Sequence, residues 1–306
     1  MPVAIADRLT PSSMSTRRLG LMCGLFAALV WGAFLAVSRA GITAGLTAND
    51  LTFLRFTTAG LLMLPWYLRH SPLTLAGVGL GRGLILAALA GPPFVMIGAS
   101  GYAFAPLAHG AVLQPGALTL MSFVLASWLL NERSHRRQLV GLAIVVAGLS
   151  VIAGPDLLTG GSQAPIGDML FILAGSMWAL FSVLARRWHV APIAATAVVS
   201  VLSALLYSPF YLLTHGLALM DRASPAMLIE QVVVQGLLSG VLALFAYSIA
   251  VRTLGAARSA IFPALAPAAA ILIGIPLVGE TPTALQWLGL AIVSTGLVIA
   301  VTSRKE

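Results

Sequence analysis

The sequence predicts an all-α polytopic membrane protein, with ten transmembrane helices arranged as two inverted five-helix repeats. Three observations carry that expectation: long apolar blocks, one-sided placement of the basic residues, and an internal repeat. Hydrophobic residues make up 59% of the chain and charged ones 8%, with a mean hydropathy of +0.99. A soluble protein of 306 residues would need far more charge than that to cover its surface.

The apolar residues gather in stretches of roughly 18 to 25, long enough to span hydrocarbon at about 1.5 Å per residue. Ten blocks follow in order: 19–40, 49–68, 83–105, 109–130, 138–154, 167–188, 193–214, 229–251, 257–278 and 284–302. Residues 1–18 read as a short cytoplasmic tail, and 303–306 as another. The first block is flanked by Arg17 and Arg18, as a signal peptide would be. It is too long for a typical signal and lacks a clear small-residue cleavage site, so it reads as a membrane anchor.

The net charge of +8 is explained by where the charges fall. With the N-terminus taken as inside, the inner segments hold Arg8, Arg17, Arg18, Arg69, Arg82, Arg133, Arg136, Arg137, Arg186, Arg187, Arg252, Arg258, Arg304 and Lys305. The opposite side holds Arg39 and Arg222, and Arg55 lies within the second block. Such asymmetry is the positive-inside pattern and places both termini in the cytoplasm, with the inner membrane as the expected location. A nucleic-acid partner is not required. Cys23 is the single cysteine, which excludes an intrachain disulfide and a thiolate metal cluster.

GLMCGLFAALVW, from Gly20 to Trp31, has a counterpart GDMLFILAGSMW, from Gly167 to Trp178, 147 positions later. The same shift pairs Arg39 with Arg186. A shift of 148 pairs Pro115 with Pro263, Glu132 with Glu280, Gln138 with Gln286, and GLAIV at 141–145 with GLAIV at 289–293. It also pairs Gly148 with Gly296, while Tyr102 and Tyr247 pair at 145. The chain therefore divides into a first repeat (19–154), an outer linker (155–166) and a second repeat (167–302). Five crossings is an odd number, so the second repeat enters the membrane from the other side. Inverted repeats can form inward-open and outward-open states of similar energy by exchanging conformations.

The block order, the tryptophans of the first and sixth helices, and the NE/GE and Q-x-x-G-L-A-I-V ends resemble the EamA family of the drug/metabolite transporter superfamily. The resemblance spans about residues 20–302. It implies ten helices around a central cavity and export of amino acids and related metabolites.

Several residues could carry transport. Gln114, Pro115 and Gly116 interrupt an otherwise apolar block. Pro115 would free the carbonyl of Ala111, and its mate Pro263 that of Ser259, with Pro267 breaking the same face again. Two such interruptions at opposite depths would suit alternating gates, or would set static bends. Gln114 offers an amide to substrate or to a neighbouring helix. Trp31 and Trp178 lie near mid-block, away from the interfacial belts, and either line the cavity or pack within each half. Tyr102 and Tyr247 are further candidates for substrate contact, with a belt position as the alternative. Arg55, well inside the second block, is expected to pair with Glu280, in a structural or gating role ahead of binding a substrate carboxylate. Glu280, Asp50 and His109 are the candidates for proton coupling, all near outer helix ends.

The expected partners are a small-molecule substrate and membrane lipid, with a homodimer left open, and no cofactor is expected. GASG at 98–101 matches the surroundings of a rhomboid-type serine nucleophile, but Ser100 would need a histidine base within reach. A phosphate-binding G-x-x-x-x-G-K-[ST] loop is absent from the sequence, which argues against a primary pump. A non-transporting scaffold or scramblase is the remaining alternative.

Overall fold

Residues 13–132, 135–158 and 162–302 are described by the structure, a computed structural model. Arg8, Arg133, Arg304 and Lys305 lie outside the described residues, as do 159–161 of the expected linker. The first helix, α1 (Ser13–Thr43), starts inside the expected N-terminal tail. It is followed by α2 (Ala48–Arg69), α3 (Leu80–Ala90), α4 (Pro92–Gly101), α5 (Leu107–Leu130) and α6 (Arg136–Leu158). The second half holds α7 (Ala164–Arg187), α8 (Pro192–His215), the short α9 (Leu219–Arg222), α10 (Pro225–Gln231) and α11 (Ala243–Leu254). A π-helical stretch, Val232–Leu242, joins α10 to α11. The short α12 (Ala256–Ser259), then α13 (Ile261–Val278) and α14 (Ala284–Thr302) complete the chain.

Local chemistry sets these limits. Thr47 and Asp50 form a reciprocal capping box at the start of α2, which satisfies two amides that no helical carbonyl can reach. Gly91, ahead of Pro92 and Pro93, splits the third block into α3 and α4. At the end of α13 Gly279 adopts φ 75°, the left-handed cap that glycine takes without strain.

Eight segments among the described residues are long and apolar enough to cross a membrane. The shorter apolar run Ala284–Ala300 falls below that length, and α2, which carries Asp50, Arg55 and Arg69, falls outside the set. Leu61, Trp128, Leu205 and Leu213 expose large apolar side chains, as a surface solvated by lipid requires. This is a multi-pass membrane protein.

Helix pairs from the two halves pack reciprocally. α1 lies along α13, and α5 along α7; α2 packs on α8, and α6 on α14. Small residues permit the close approaches. A Cβ on Gly175 would come within 2.3 Å of the Gln114 carbonyl oxygen, so α7 and α5 touch backbone to backbone there. Between α6 and α14, Gly141 faces the carbonyl of Gly296, while Gly289 faces that of Gly148. These four glycines belong to the two GLAIV segments and their flanks, which pack against each other.

Candidate functional site

Where α1, α4 and α5 converge, Phe34, Ser38, Phe94, Gly98, Tyr102 and Gln114 surround a small cavity. Its volume of about 10 Å³ is at the lower limit for one water. Tyr102 caps α4, packs its ring against Phe171 at 4.8 Å and fits the notch at Gly110. Its hydroxyl is buried without a hydrogen-bond partner among the described residues.

Other expected substrate residues flank this space. Trp31 meets Tyr247 edge-on at 5.3 Å, one helical turn below Phe34 on α1. Trp178 packs against Phe94 at 4.9 Å and Phe181 at 5.2 Å. The structure thus brings Tyr102 and Gln114 to the cavity wall and sets the two tryptophans behind it, one in each half.

Two ion pairs stand at opposite ends of α5. Glu280 accepts from Arg39 Nε at 2.6 Å and from the backbone amide of Leu107, the first residue of α5, at 2.7 Å. Arg39 also donates to the Tyr102 carbonyl. A single knot therefore ties α1, the α4–α5 turn and the end of α13. At the other end of α5, Glu132 meets Arg186 at 3.3 Å, and these side chains are 48% and 54% exposed. Arg39 and Arg186 are repeat mates, as are Glu280 and Glu132, so the two pairs correspond across the repeat.

The expected pairing of Arg55 with Glu280 is not formed. Arg55 lies about 7.5 Å deeper along α2 than Asp50, whereas Glu280 sits beyond the last turn of α13, level with Arg39. Arg55 Nη1 instead donates to the carbonyl of Gln235 at 3.2 Å and to Ser239 Oγ at 3.0 Å. Its guanidinium lies 4.8 Å from the centre of the Phe34 ring. A buried amide chain adjoins it: Gln235 Nε2 donates to Ser38 Oγ and Gln231 Oε1, and Gln231 Nε2 donates to the Val37 carbonyl. The π-helical stretch supplies both hydrogen-bond partners of Arg55, a setting common at functional sites. Sequence periodicity does not reveal it.

The proline expectations divide. α5 runs unbroken through Pro115, whose carbonyl accepts from Thr119 Oγ1 at 3.0 Å, and Gly116 packs against Leu149. Pro263 stands in the opening turn of α13, after Ser259 has already ended α12. First-turn amides have no helical acceptor, so Pro263 frees no carbonyl at Ser259. Ser259 is fully buried, and its hydroxyl has no partner among the described residues. Pro267 is buried inside α13, which runs through it without the expected break.

Asp50 and His109, two of the coupling candidates, each sit in a buried polar centre whose partners the sequence does not indicate. His109 Nδ1 and Asp168 Oδ1 are 2.7 Å apart and buried between α5 and α7. Asp50 is fully buried, bonds Tyr211 Oη and pairs with Arg222 at 3.0 Å, tying α2 to α8 and α9. Acidic residues at helix starts were visible in the sequence, but their partners are distant along the chain. The Ser100 hydroxyl makes no hydrogen bond to a histidine among the described residues.

Comparison with known proteins gives a consistent picture. The EamA-like transporter family matches residues 18–154 and again 165–302. An uncharacterized transporter of Bacillus subtilis strain 168, YetK, is 28% identical over 191 residues, 60% of this chain. That match spans 56% of YetK, about half its length. An uncharacterized inner membrane transporter of Escherichia coli K12, YedA, is 26% identical over 92% of this chain and 90% of its own. One solved crystal structure matches 92% of this chain and 96% of its own, with a TM-score of 0.59 at 19% identity. That likeness concerns the fold.

Proposed function

The chain belongs to the EamA-like transporter family, and from that premise we propose that it is a secondary carrier exporting small organic metabolites across the inner membrane. The carrier works by alternating access between two inverted repeats of five helices, ten in all, with both termini in the cytoplasm. The observation that carries this reading is the pair of repeat-related ion pairs at opposite ends of α5. One is tight and tied to three segments; its mate is loose and wet. Two halves that exchange conformations would exchange these states, so that the tight latch passes from one end to the other. The fourteen-to-two distribution of basic residues favours the Glu280 end as the outer one.

The reciprocal packing of α1 on α13 and α5 on α7 supports inversion, as does the self-complementary glycine contact of α6 and α14. The aromatic residues around the closed cavity suit an amphipathic or aromatic solute, amino acids first. Few charges face the interior, which disfavours a multiply charged one.

Uptake into everted vesicles tests the carrier reading with a panel of amino acids, their amides and small organic acids. Expression of the protein should accelerate uptake of at least one panel member, and Glu280→Gln should change its rate. A panel that moves no faster with the protein than without it would refute the reading. Cysteine labelling in a Cys23→Ala background tests the orientation: a cysteine at Thr281 should react from outside, and one at His189 from within.

A further inference from the structure

Arg55 is a cation inside the membrane-spanning body, and its side chain is nearly enclosed. The residue is 6% exposed, and among the described residues no carboxylate lies within 4 Å of it. Both of its hydrogen bonds come from Nη1 and end on neutral oxygens, the Gln235 carbonyl and Ser239 Oγ. Nε and Nη2 make no hydrogen bond among the described residues. The nearest acid on its own helix, Asp50, is already engaged by Arg222 and Tyr211. A desolvated charge held without a counter-ion is costly, and ring faces and neutral dipoles offset only part of that cost.

The site is built toward the cavity. Phe34 carries the guanidinium at 4.8 Å and also lines the cavity, so its ring stands between the two. Ser38 lines the same cavity and accepts from Gln235 Nε2 at 2.9 Å. Gln235 is fully buried, and its Oε1 has no partner among the described residues. One unpaired cation and one orphaned acceptor thus lie against Phe34 and Ser38, two side chains that line the cavity.

Resting on the carrier reading above, we propose that Arg55 is the substrate-recognition residue of the cavity, taking a single carboxylate of the transported solute when Phe34 turns aside. The unused Nε and Nη2 edge of the guanidinium matches a carboxylate bidentately. One positive charge neutralises one negative charge, so the site fits a monocarboxylate or a zwitterion and leaves a phosphate dianion half-compensated. Gln235 Oε1 is the acceptor for a donor on the same solute, such as an ammonium group.

The test is uptake by purified full-length protein in liposomes, with solutes offered as matched pairs: L-phenylalanine and L-phenylalaninamide, L-leucine and L-leucinamide, benzoate and benzamide. The wild type should move at least one carboxylate and discriminate against its amide by about tenfold or more. Arg55→Gln should abolish that preference, and Arg55→Lys should restore part of it. If Arg55→Gln does not fold, Ser239→Asp serves instead. It puts a carboxylate beside Nη1, which now donates to Ser239 Oγ at 3.0 Å, where it should fill the site, keep the protein folded and suppress carboxylate uptake. Transport of the amides alone, or carboxylate uptake left unchanged by Arg55→Gln or by Ser239→Asp, would overturn the assignment while leaving the carrier intact. No uptake of any pair would overturn both.

Discussion

The two ends of α5 carry the same pair of residue types in repeat-related positions, yet they are not alike. At the Glu280 end the carboxylate is 27% exposed, its arginine 18%, and the charged atoms come to 2.5 Å. A backbone amide and a backbone carbonyl complete the knot there. At the Glu132 end about half of each side chain faces solvent, and one contact of 3.3 Å joins them. Exposed pairs of that kind contribute about 0–1 kcal/mol, whereas removing one partner of a desolvated pair costs several times more. The lesson is that repetition in sequence does not impose symmetry at a given moment. An alternating carrier needs unequal ends, and here the inequality is one of burial and partner number, with residue identity held constant.

The largest expected effect comes from breaking the tight end. Glu280→Gln leaves Arg39 without its counter-ion and weakens the tie to Leu107, so stability should fall by about 2–3 kcal/mol in detergent unfolding. Labelling of a cysteine at Ala108, buried at that end, should rise as it opens. The reversed pair, Arg39→Glu with Glu280→Arg, should recover part of the loss in a double-mutant cycle. A Glu280→Gln protein as stable and as shielded at Ala108 as the wild type would show that the knot does not hold that end closed.

The comparison between the ends was half legible in the sequence. The repeat register already matched Arg39 with Arg186 and Glu132 with Glu280, but it could not say which acid would meet which arginine. Arg55 drew the assignment to Glu280 because it was the conspicuous buried cation, while Arg39 was read only as a topology marker. Depth along the helices decides the matter: Arg39 is level with the end of α13, and Arg55 is not. The repeat pairing of tyrosines and the break in apolar pattern at 114–116 single out Tyr102 and Gln114, which line the cavity. Phe34, Ser38 and Gln235 are not singled out, since a phenylalanine, a serine and a glutamine look alike whether they face lipid, a neighbour or a cavity. The π-helical stretch leaves no mark in a pattern of apolar residues, and its carbonyls become available to Arg55 only in three dimensions.

A smaller effect should come from the prolines, and it sharpens the contrast between the halves. Pro115 lies inside a continuous helix beside Gln114, while its mate Pro263 occupies an opening turn where no helical bond is lost. Pro115→Ala should therefore keep or raise stability, because an interior proline costs a helix up to about 3 kcal/mol. The same change should slow transport by about fivefold to tenfold, equivalent to roughly 1.0–1.4 kcal/mol on the barrier. Pro263→Ala should alter the rate by less than about twofold, since a first-turn proline removes no ladder bond. Equal effects at the two sites would mean that the mates act alike despite their different helical contexts.

The smallest effect is expected at the loose end and depends on salt. Glu132→Gln should cost no more than about 1 kcal/mol at low ionic strength. That difference should vanish between about 0.05 and 0.5 M sodium chloride, as the screening length shrinks to a few ångströms. The loss from Glu280→Gln should persist over the same range, because its partners are partly withdrawn from solvent. The transport rate completes the argument. If the loose pair tightens when the carrier turns over, Glu132→Gln should slow the cycle by more than its effect on resting stability accounts for. A rate that tracks resting stability alone would mean that Glu132 and Arg186 never exchange roles with Glu280 and Arg39.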